Sequence, residues 1–166
     1  MAVIYLSLGS NIEPEKHIGA GLIALEACFG ALVVSRVFES EAVGFEGDNF
    51  YNLVVKIESD QSVGAVQQCL HAIEDANGRL RAGQARFSGR TLDIDMLNYG
   101  DSVGTIDGVA LPRAEILTNA FVLWPLAEIA PDVLHPTLQI PYAELWQAFD
   151  KNSQKLWPIA WPLALK

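Results

Sequence analysis

The segment from Gly78 to Gly100 constrains the fold of this chain more than any other. Its second half, Thr91 to Leu97, alternates polar and apolar residues, which is typical of a strand buried on one face. Asp93 and Asp95 would then point to the same side, with Cα atoms roughly 6.6 Å apart. The first half carries four arginines and no acidic residue between them: Arg79, Arg81, Arg86 and Arg90.

Paired carboxylates on one strand face are hard oxygen ligands of the kind that suits Mg²⁺, which also takes water and substrate phosphates. Five of the six arginines lie between Arg79 and Arg113 in a chain of net charge −9, which a surface charged only for solubility would not show. Phosphoryl transfer needs cationic side chains that bind phosphate and carboxylates that bind magnesium, and this segment has both. An Asp-x-Asp pair also arises by chance in acid-rich chains, so an ordinary surface strand remains the alternative.

Periodicity elsewhere predicts a βαββαβ order, hence one antiparallel sheet with both helices on one face. The predicted strands are Val3–Leu8, Leu32–Phe38, Tyr51–Ile57 and the strand with the two aspartates. The first helix begins at Glu13-Pro14 and stops near Gly30, and the second runs from an N-cap at Ser62 to Asn77-Gly78. At 166 residues, we expect one domain over 1–166.

The remaining segments give weaker predictions. We expect a long surface loop over 39–49, a turn-rich connection over 102–108 and a helix from about Asn119 that Pro125 interrupts or kinks. A final helix is predicted over 142–149, followed by an extended strap over 155–166 in which we identify no chemistry.

The composition of the chain limits which binding partners and which cellular location we expect. The acidic balance argues against nucleic acid and anionic membranes as partners. The apolar run from Ala2 to Leu8 is too short for a signal peptide or a membrane span. Cys28 and Cys69 are interpreted as reduced core thiols, which fits a cytoplasmic location. The three histidines show no metal-ligand spacing.

Phe50 and Asn52 share one face of their predicted strand. An aromatic wall and an amide that both donates and accepts suit a flat heterocycle. An edge-strand aromatic beside a turn-forming Asn explains the pair equally well.

Three motifs carry a resemblance to the 6-hydroxymethyl-7,8-dihydropterin pyrophosphokinase family of folate synthesis, over about residues 1–136. They are Leu8-Gly9-Ser10-Asn11, the run from Gly78-Arg79 to Arg90-Thr91-Leu92-Asp93-Ile94-Asp95, and Ala120-Phe121-Val122-Leu123-Trp124-Pro125 with its continuation to Pro131. The resemblance implies an α+β fold with a ferredoxin-like core and a C-terminal helical extension. It also implies transfer of diphosphate from ATP to the hydroxymethyl group of the dihydropterin, with release of AMP.

The resemblance further implies roles for individual residues. Asp93 and Asp95 would hold two Mg²⁺ ions, and together with Arg81 and Arg90 they form the expected catalytic set. The expected ATP-binding residues are Glu74, Arg79, Arg81, Arg86, Arg90, Met96 and Arg113. The expected pterin-binding residues are Ser40, Val43, Phe50, Asn52, Asp93 and Phe121. The loops 39–49 and 82–90 are candidate lids.

The chain departs from the family pattern on the nucleotide side. Arg113 and Ala114 stand where many members have His and an aromatic residue, Asn119 stands where many have Arg, and Phe87 replaces a frequent Trp. We expect Arg113 to contact a nucleotide phosphate and to compensate in part for Asn119. A non-catalytic pterin- or nucleotide-binding module is the alternative function. An RNA-binding module fits poorly with the two aspartates and the net charge. We expect a monomer.

Overall fold

A computed structural model describes residues 1–41, 48–78 and 91–160. In chain order the elements are β1 Ala2–Ser10, α1 Pro14–Phe29, β2 Val33–Val34, β3 Val37–Ser40, β4 Phe50–Ser59, α2 Val63–Ala76, β5 Asp93–Tyr99, β6 Gly104–Ile106, β7 Val109–Leu111, a 3₁₀ helix Ala114–Leu117, α3 Ala120–Ile129, α4 Tyr142–Ala148 and β8 Leu156–Ile159. The predicted α+β class and the βαββαβ order are confirmed, and so is the C-terminal helical extension.

The main sheet has the strand order β5-β1-β4-β3-β8, and β2 also pairs with β4. Each described pairing in it is antiparallel. The central strand β1 therefore lies between β4 and β5, which pairs residues that are 41 to 95 positions apart in sequence.

Each face of the sheet carries its own apolar core. Leu6 and Leu8 of β1 pack with Ile94 of β5 against the side chains of α1 and α2, among them Leu22 and Leu70. The opposite face packs against the C-terminal helices through another set of buried residues: Tyr5, Val54, Leu97, Leu123, Leu126 and Tyr142. Both predicted helices of the βαββαβ unit thus lie on one face, and α3 and α4 cover part of the other.

The predicted strand 32–38 is broken into β2 and β3. Ser35 interrupts the ladder because its hydroxyl accepts from the Val54 N–H at 2.9 Å. The register against β4 shifts by one residue across this break. Arg36 points outward, where its Nε donates to Glu128 of α3 at 2.8 Å. The break therefore joins this edge of the sheet to the C-terminal layer.

The helix ends follow the sequence signals. The Ser62 hydroxyl accepts from the Ala65 N–H at 3.2 Å, as an N-cap should. Gly30 ends α1 with φ 84°, which a residue without a Cβ adopts readily. Helix α3 continues through Pro125, so an interruption there is wrong, whereas the alternative, a kink, stays a prediction. The proline removes the N–H that would bond to the Phe121 carbonyl.

The connection over 102–108 contains part of a hairpin that the sequence analysis missed. β6 and β7 pair around Asp107 and Gly108, which have φ 51° and φ 82°. An Asp-Gly pair with two positive φ angles is a recognised hairpin signal. The Asp107 carboxylate accepts from the Gly64 N–H at 2.9 Å and so caps the start of α2.

Two other expectations concern the surface. Cys28 is exposed and its Sγ lies 2.9 Å from that of the half-buried Cys69, so the two free thiols form a surface pair between α1 and α2 and not a pair of core residues. Within the described ranges no helix combines the length and apolar character needed to cross a membrane.

Candidate functional site

Asp93 and Asp95 begin β5 and project from the sheet face opposite α1 and α2. Their orientation follows from the alternation, because Ile94 and Met96 between and after them pack in the core beneath those helices. The pairing register places Asp93 opposite Gly9 and Asp95 opposite Ser7 of β1. The structure thus brings the two carboxylates together on one side, as the alternation predicts.

The neighbouring carboxyl groups of Asp93 and Asp95 disfavour the ionised form of Asp95. Burial, followed by the neighbouring Asp93 carboxyl, raises the pKa of Asp95 to about 8, and Arg113 only partly opposes this shift. Such a pair fits a divalent cation, whose charge would favour both ionised forms. Among the described residues no group of three or more His, Cys, Asp or Glu side chains could hold a metal. A magnesium ion here would therefore need further oxygen ligands from water or phosphate.

Arg113 lies beside the carboxylate pair. Its Nη2 is 3.6 Å from Asp95 Oδ1 and 3.2 Å from Glu115 Oε2. Its backbone N–H donates to the Leu97 carbonyl at 2.8 Å, which anchors this residue along β5. The Arg113 side chain is 37% exposed, so it remains accessible to a ligand while it contacts Asp95.

Glu74 and Met96, both expected near a nucleotide, occupy buried positions. Glu74 Oε2 accepts from the Ile94 N–H at 2.7 Å, which ties the last turn of α2 to the strand between the two aspartates. The Met96 side chain is 2% exposed and packs in the core, so it presents no accessible side-chain surface to a ligand.

The expected pterin residues of β3 and β4 lie on the same sheet face as the aspartates. Asn52 pairs with Gly9 on one side and with Phe38 on the other, so Asp93, Gly9, Asn52 and Phe38 form one row across four strands. Asn52 Nδ2 donates to Ser40 Oγ at 2.9 Å, and both residues are buried. With strands about 4.8 Å apart, Asn52 and Asp93 stand about 10 Å from one another across Gly9.

Gly9 leaves the floor between Asn52 and Asp93 open. A Cβ at this position would lie 3.1 Å from Asn52 Oδ1 and 4.0 Å from Phe50 Cδ1. A side chain here would therefore crowd the amide that we associate with the heterocycle. In the sequence, the Gly9-Ser10-Asn11 break directly after the first strand is the signal for this open position.

Asn11 connects that turn to the loop that precedes β4. Its side-chain Nδ2 donates to the Asp48 carbonyl at 3.1 Å, and Asn11 is only 4% exposed. The turn after β1 therefore contacts the loop that leads into the expected pterin residues. This contact was not foreseen, because it joins segments 37 positions apart.

Phe121 is the second residue of α3 and packs, half-buried, on the C-terminal core. Helix α3 contacts β4 and β3. The expected second aromatic thus lies in the layer over the sheet face that carries Phe50 and Asn52. Five expected site residues and both candidate lids, in whole or in part, lie outside the described residues: Val43, Arg79, Arg81, Arg86, Arg90 and the loops 39–49 and 82–90.

Comparison with known proteins gives a consistent result. The family model for 7,8-dihydro-6-hydroxymethylpterin-pyrophosphokinase matches residues 5–131. A 2-amino-4-hydroxy-6-hydroxymethyldihydropteridine pyrophosphokinase of Haemophilus influenzae is 32% identical over 95% of this chain and 100% of its own length. A protein of the same description from Methylorubrum extorquens is 37% identical over 81% of this chain and 86% of its own.

Solved structures share the fold. Plasmodium falciparum HPPK-DHPS superposes with a TM-score of 0.70 at 13% identity over 89% of this chain. The match spans 43% of that longer chain. At this identity the superposition concerns the fold alone.

Proposed function

Because the chain belongs to the 7,8-dihydro-6-hydroxymethylpterin-pyrophosphokinase family, we propose that Asp93 and Asp95, with the row of residues beside them, form its active site. The protein is a magnesium-dependent pyrophosphokinase, which transfers diphosphate from ATP to 6-hydroxymethyl-7,8-dihydropterin in folate biosynthesis. The observation that carries the placement of the site is the common sheet face shared by Asp93, Asp95 and Asn52.

Asp93 and Asp95 are the proposed magnesium ligands, and the site takes two ions. When bound, magnesium would offset the negative charge on the triphosphate and orient it. The support is the raised pKa of Asp95 beside Asp93, since a bound cation would favour the ionised form of both carboxyl groups. Glu74 supports the pair from below by holding the backbone at Ile94. We propose that Glu74 affects nucleotide binding indirectly, because it holds β5 in place. Met96 lies in the same strand and is proposed to affect nucleotide binding in the same indirect way.

The pterin pocket is proposed to lie over Gly9. Asn52 recognises the edge of the ring by its amide, Ser40 orients that amide through the 2.9 Å hydrogen bond, and Phe50 and Phe121 supply the two aromatic walls. Val43 and Asp93 complete the proposed set. A ring placed over Gly9 would extend from Asn52 toward Asp93, which points its substituent at the carboxylate pair.

The nucleotide is proposed to occupy the side of Arg113 and the arginine loop. From the family resemblance, Arg81 and Arg90 are assigned to ATP phosphates and to the catalytic set. Arg79 and Arg86 are assigned to ATP binding nearby. Arg113 supports this placement, because its guanidinium already lies 3.6 Å from the Asp95 carboxylate. In the presence of a metal at Asp95, the guanidinium would be released to a phosphate oxygen.

Catalysis on this site consists of positioning and charge neutralisation. The hydroxymethyl oxygen attacks the β-phosphorus, the bond from that phosphorus to the α,β-bridging oxygen breaks, and AMP leaves with the bridging oxygen. The hydroxyl proton passes to solvent. Asn52 and the aromatic walls fix the direction of the hydroxymethyl group, and the arginines stabilise the charge that develops on the phosphate oxygens. No protein base is assigned, since positioning and neutralisation account for the transfer.

The remaining properties are proposals of the same kind. We propose a single pyrophosphokinase domain over 1–166, a monomer, a cytoplasmic location, and small-molecule substrates without nucleic-acid or membrane partners. The net charge of −9 supports the exclusion of nucleic acid and of anionic membranes.

The test is AMP formation from ATP, Mg²⁺ and the dihydropterin by wild type, Asp93→Asn and Asp95→Asn. Each variant should lose turnover while its circular dichroism stays native, and Asp101→Asn, an exposed aspartate of the turn after β5, should keep it. Near-normal AMP formation by Asp93→Asn or Asp95→Asn would place the metal elsewhere. Pterin and ATP binding without AMP release by wild type would favour the non-catalytic module.

A further inference from the structure

The first turn of α3, which carries Phe121, is not capped by its own N-cap residue. Asn119 makes no side-chain capping hydrogen bond. Its Oδ1 accepts instead from the Thr118 hydroxyl at 3.2 Å. The first N–H groups of a helix have no intrahelical partner and need one from elsewhere.

Gln154 supplies that partner from 34 positions away in the sequence. Its Oε1 accepts from the Ala120 N–H at 2.8 Å, and its Nε2 donates to the Thr118 carbonyl at 2.7 Å. One amide thus holds both sides of the turn immediately before Phe121. Gln154 is partly buried in this position.

The residues that follow Gln154 hold the opposite part of the proposed pterin pocket. β8 adds to the sheet edge beside β3, with Leu156 opposite Ser40 and Pro158 opposite Phe38. Ser40 in turn accepts the hydrogen bond from Asn52. The short segment from Gln154 to Ile159 therefore makes two contacts. It hydrogen-bonds to the backbone just before Phe121, and it pairs with β3, whose Ser40 accepts from Asn52.

From these contacts we propose that Gln154 is a positioning residue for pterin binding, which sets the place of Phe121 relative to the sheet. The C-terminal segment 154–159 acts as a brace across the two walls of the pocket. The inference rests on the proposed pterin site, since it requires Phe121 to contact the ring. It gives the strap an active-site role that the sequence did not reveal.

The test compares Gln154→Met, which keeps the size of the side chain but removes both hydrogen bonds, with Gln154→Glu, which keeps the acceptor for the Ala120 N–H. Gln139→Met is the matched control, because its amide also donates to backbone carbonyls but in the loop between α3 and α4. The dissociation constant of 6-hydroxymethyl-7,8-dihydropterin is measured with a saturating non-hydrolysable ATP analogue and Mg²⁺. The dissociation constant of the analogue alone and the melting temperature are measured in parallel.

We expect Gln154→Met to raise the pterin dissociation constant by roughly three- to ten-fold, while the affinity for the ATP analogue changes less than about two-fold. Gln154→Glu keeps the acceptor for the Ala120 N–H but turns a carboxylate oxygen toward the Thr118 carbonyl, so it should recover only part of the pterin affinity. Gln139→Met should not alter the pterin affinity. A merely structural role would weaken both ligands together or lower only the melting temperature, and either result would overturn the proposal.

Phe121→Ala, measured in the same series, distinguishes a failure of the proposed pterin pocket from a failure of the positioning role of Gln154. If Phe121→Ala weakens pterin binding and Gln154→Met does not, the positioning role is wrong and the pocket stands. If Phe121→Ala has no effect, the pocket itself is wrong, and the role of Gln154 fails with it.

Discussion

The aromatic ring of Phe121 lies at the start of α3, half-buried against the C-terminal core. Stacking of a base on an aromatic side chain contributes on the order of 1–3 kcal/mol. Phe121→Ala should therefore raise the pterin dissociation constant by roughly ten-fold or more, measured by calorimetry. Phe149→Ala is the control, because Phe149 stacks on Trp146 in the same core. Equal losses from both variants would contradict a direct contact between Phe121 and the ring.

Arg113 contacts two carboxylates, Asp95 and Glu115, and remains 37% exposed. A hydrogen bond from a charged donor to a phosphate contributes about 1.5–3 kcal/mol, so Arg113→Ala should raise the ATP dissociation constant roughly ten- to a hundred-fold. Pterin affinity without nucleotide should hardly change. Arg36→Ala removes an arginine bound to Glu128 and serves as the control. Intact ATP binding with lost pterin binding would show that Arg113 serves the other substrate.

Some positions in the candidate site could be predicted from the sequence, and others could not. The common face of Asp93 and Asp95 was predictable, because a period of two fixes it within a single strand. The alignment of Gly9 with Asn52 was not, since it depends on the register between β1 and β4. Gln154 carried no local signal at all, because its partners lie 34 and 36 positions earlier.

Helices and strands of the first 78 residues were more predictable than those after Gly100. Ser62 and Gly30 mark helix ends by local chemistry, and the structure bears both out. The C-terminal layer is held by distant polar contacts instead. The buried Tyr142 hydroxyl accepts from Asn98 Nδ2 at 2.6 Å, and Asn98 Oδ1 accepts from the Tyr5 N–H at 3.3 Å, next to a register shift between β1 and β5. These hydrogen bonds fix α4 on the sheet, but they produce no periodic pattern in the sequence from which α4 could be predicted.

The segment between α3 and α4 should respond to acid through His135. Its Nδ1 accepts from the backbone N–H groups of Thr137 and Leu138 at 3.2 Å and 3.1 Å, and burial lowers its pKa below the usual 6.5. The unfolded chain then binds the proton at a higher pH than the folded chain does. Stability contributed by neutral His135 should be lost as the pH falls from about 6.5 through the lowered pKa.

Urea unfolding of wild type and His135→Gln at pH 7.5 and pH 5.5 checks this expectation. The drop in unfolding free energy between the two pH values should be smaller in His135→Gln than in wild type. His71→Gln is the control, because His71 is exposed on α2 and should leave the drop unchanged. An equal drop in all three proteins would remove His135 from the pH response.

Stability of the intact chain should be coupled to magnesium through the two aspartates. The chain has a net charge of −9, and its sheet places two carboxylates side by side with Arg113 as a nearby cation. A ligand that binds only the folded state stabilises it by about 2.7 kcal/mol at a hundred times its dissociation constant. Wild type should therefore melt at a higher temperature in Mg²⁺ than in a chelator.

Asp95→Asn should remove the stabilisation by Mg²⁺ and raise the stability of the protein in the chelator. Asn cannot ionise, so folding no longer has to protonate residue 95 or bury its charge beside Asp93. The variant should therefore melt above wild type in the chelator, by roughly 2–4 °C for each kcal/mol relieved. Arg113 keeps its contact with Glu115, which limits the loss on that side. The shift produced by Mg²⁺ at constant ionic strength should disappear in Asp95→Asn and persist in Asp101→Asn. If the variant melts below wild type in the chelator, burial of the Asp95 carboxyl does not destabilise the fold. If the variant keeps the Mg²⁺ shift, Asp95 is not a magnesium ligand.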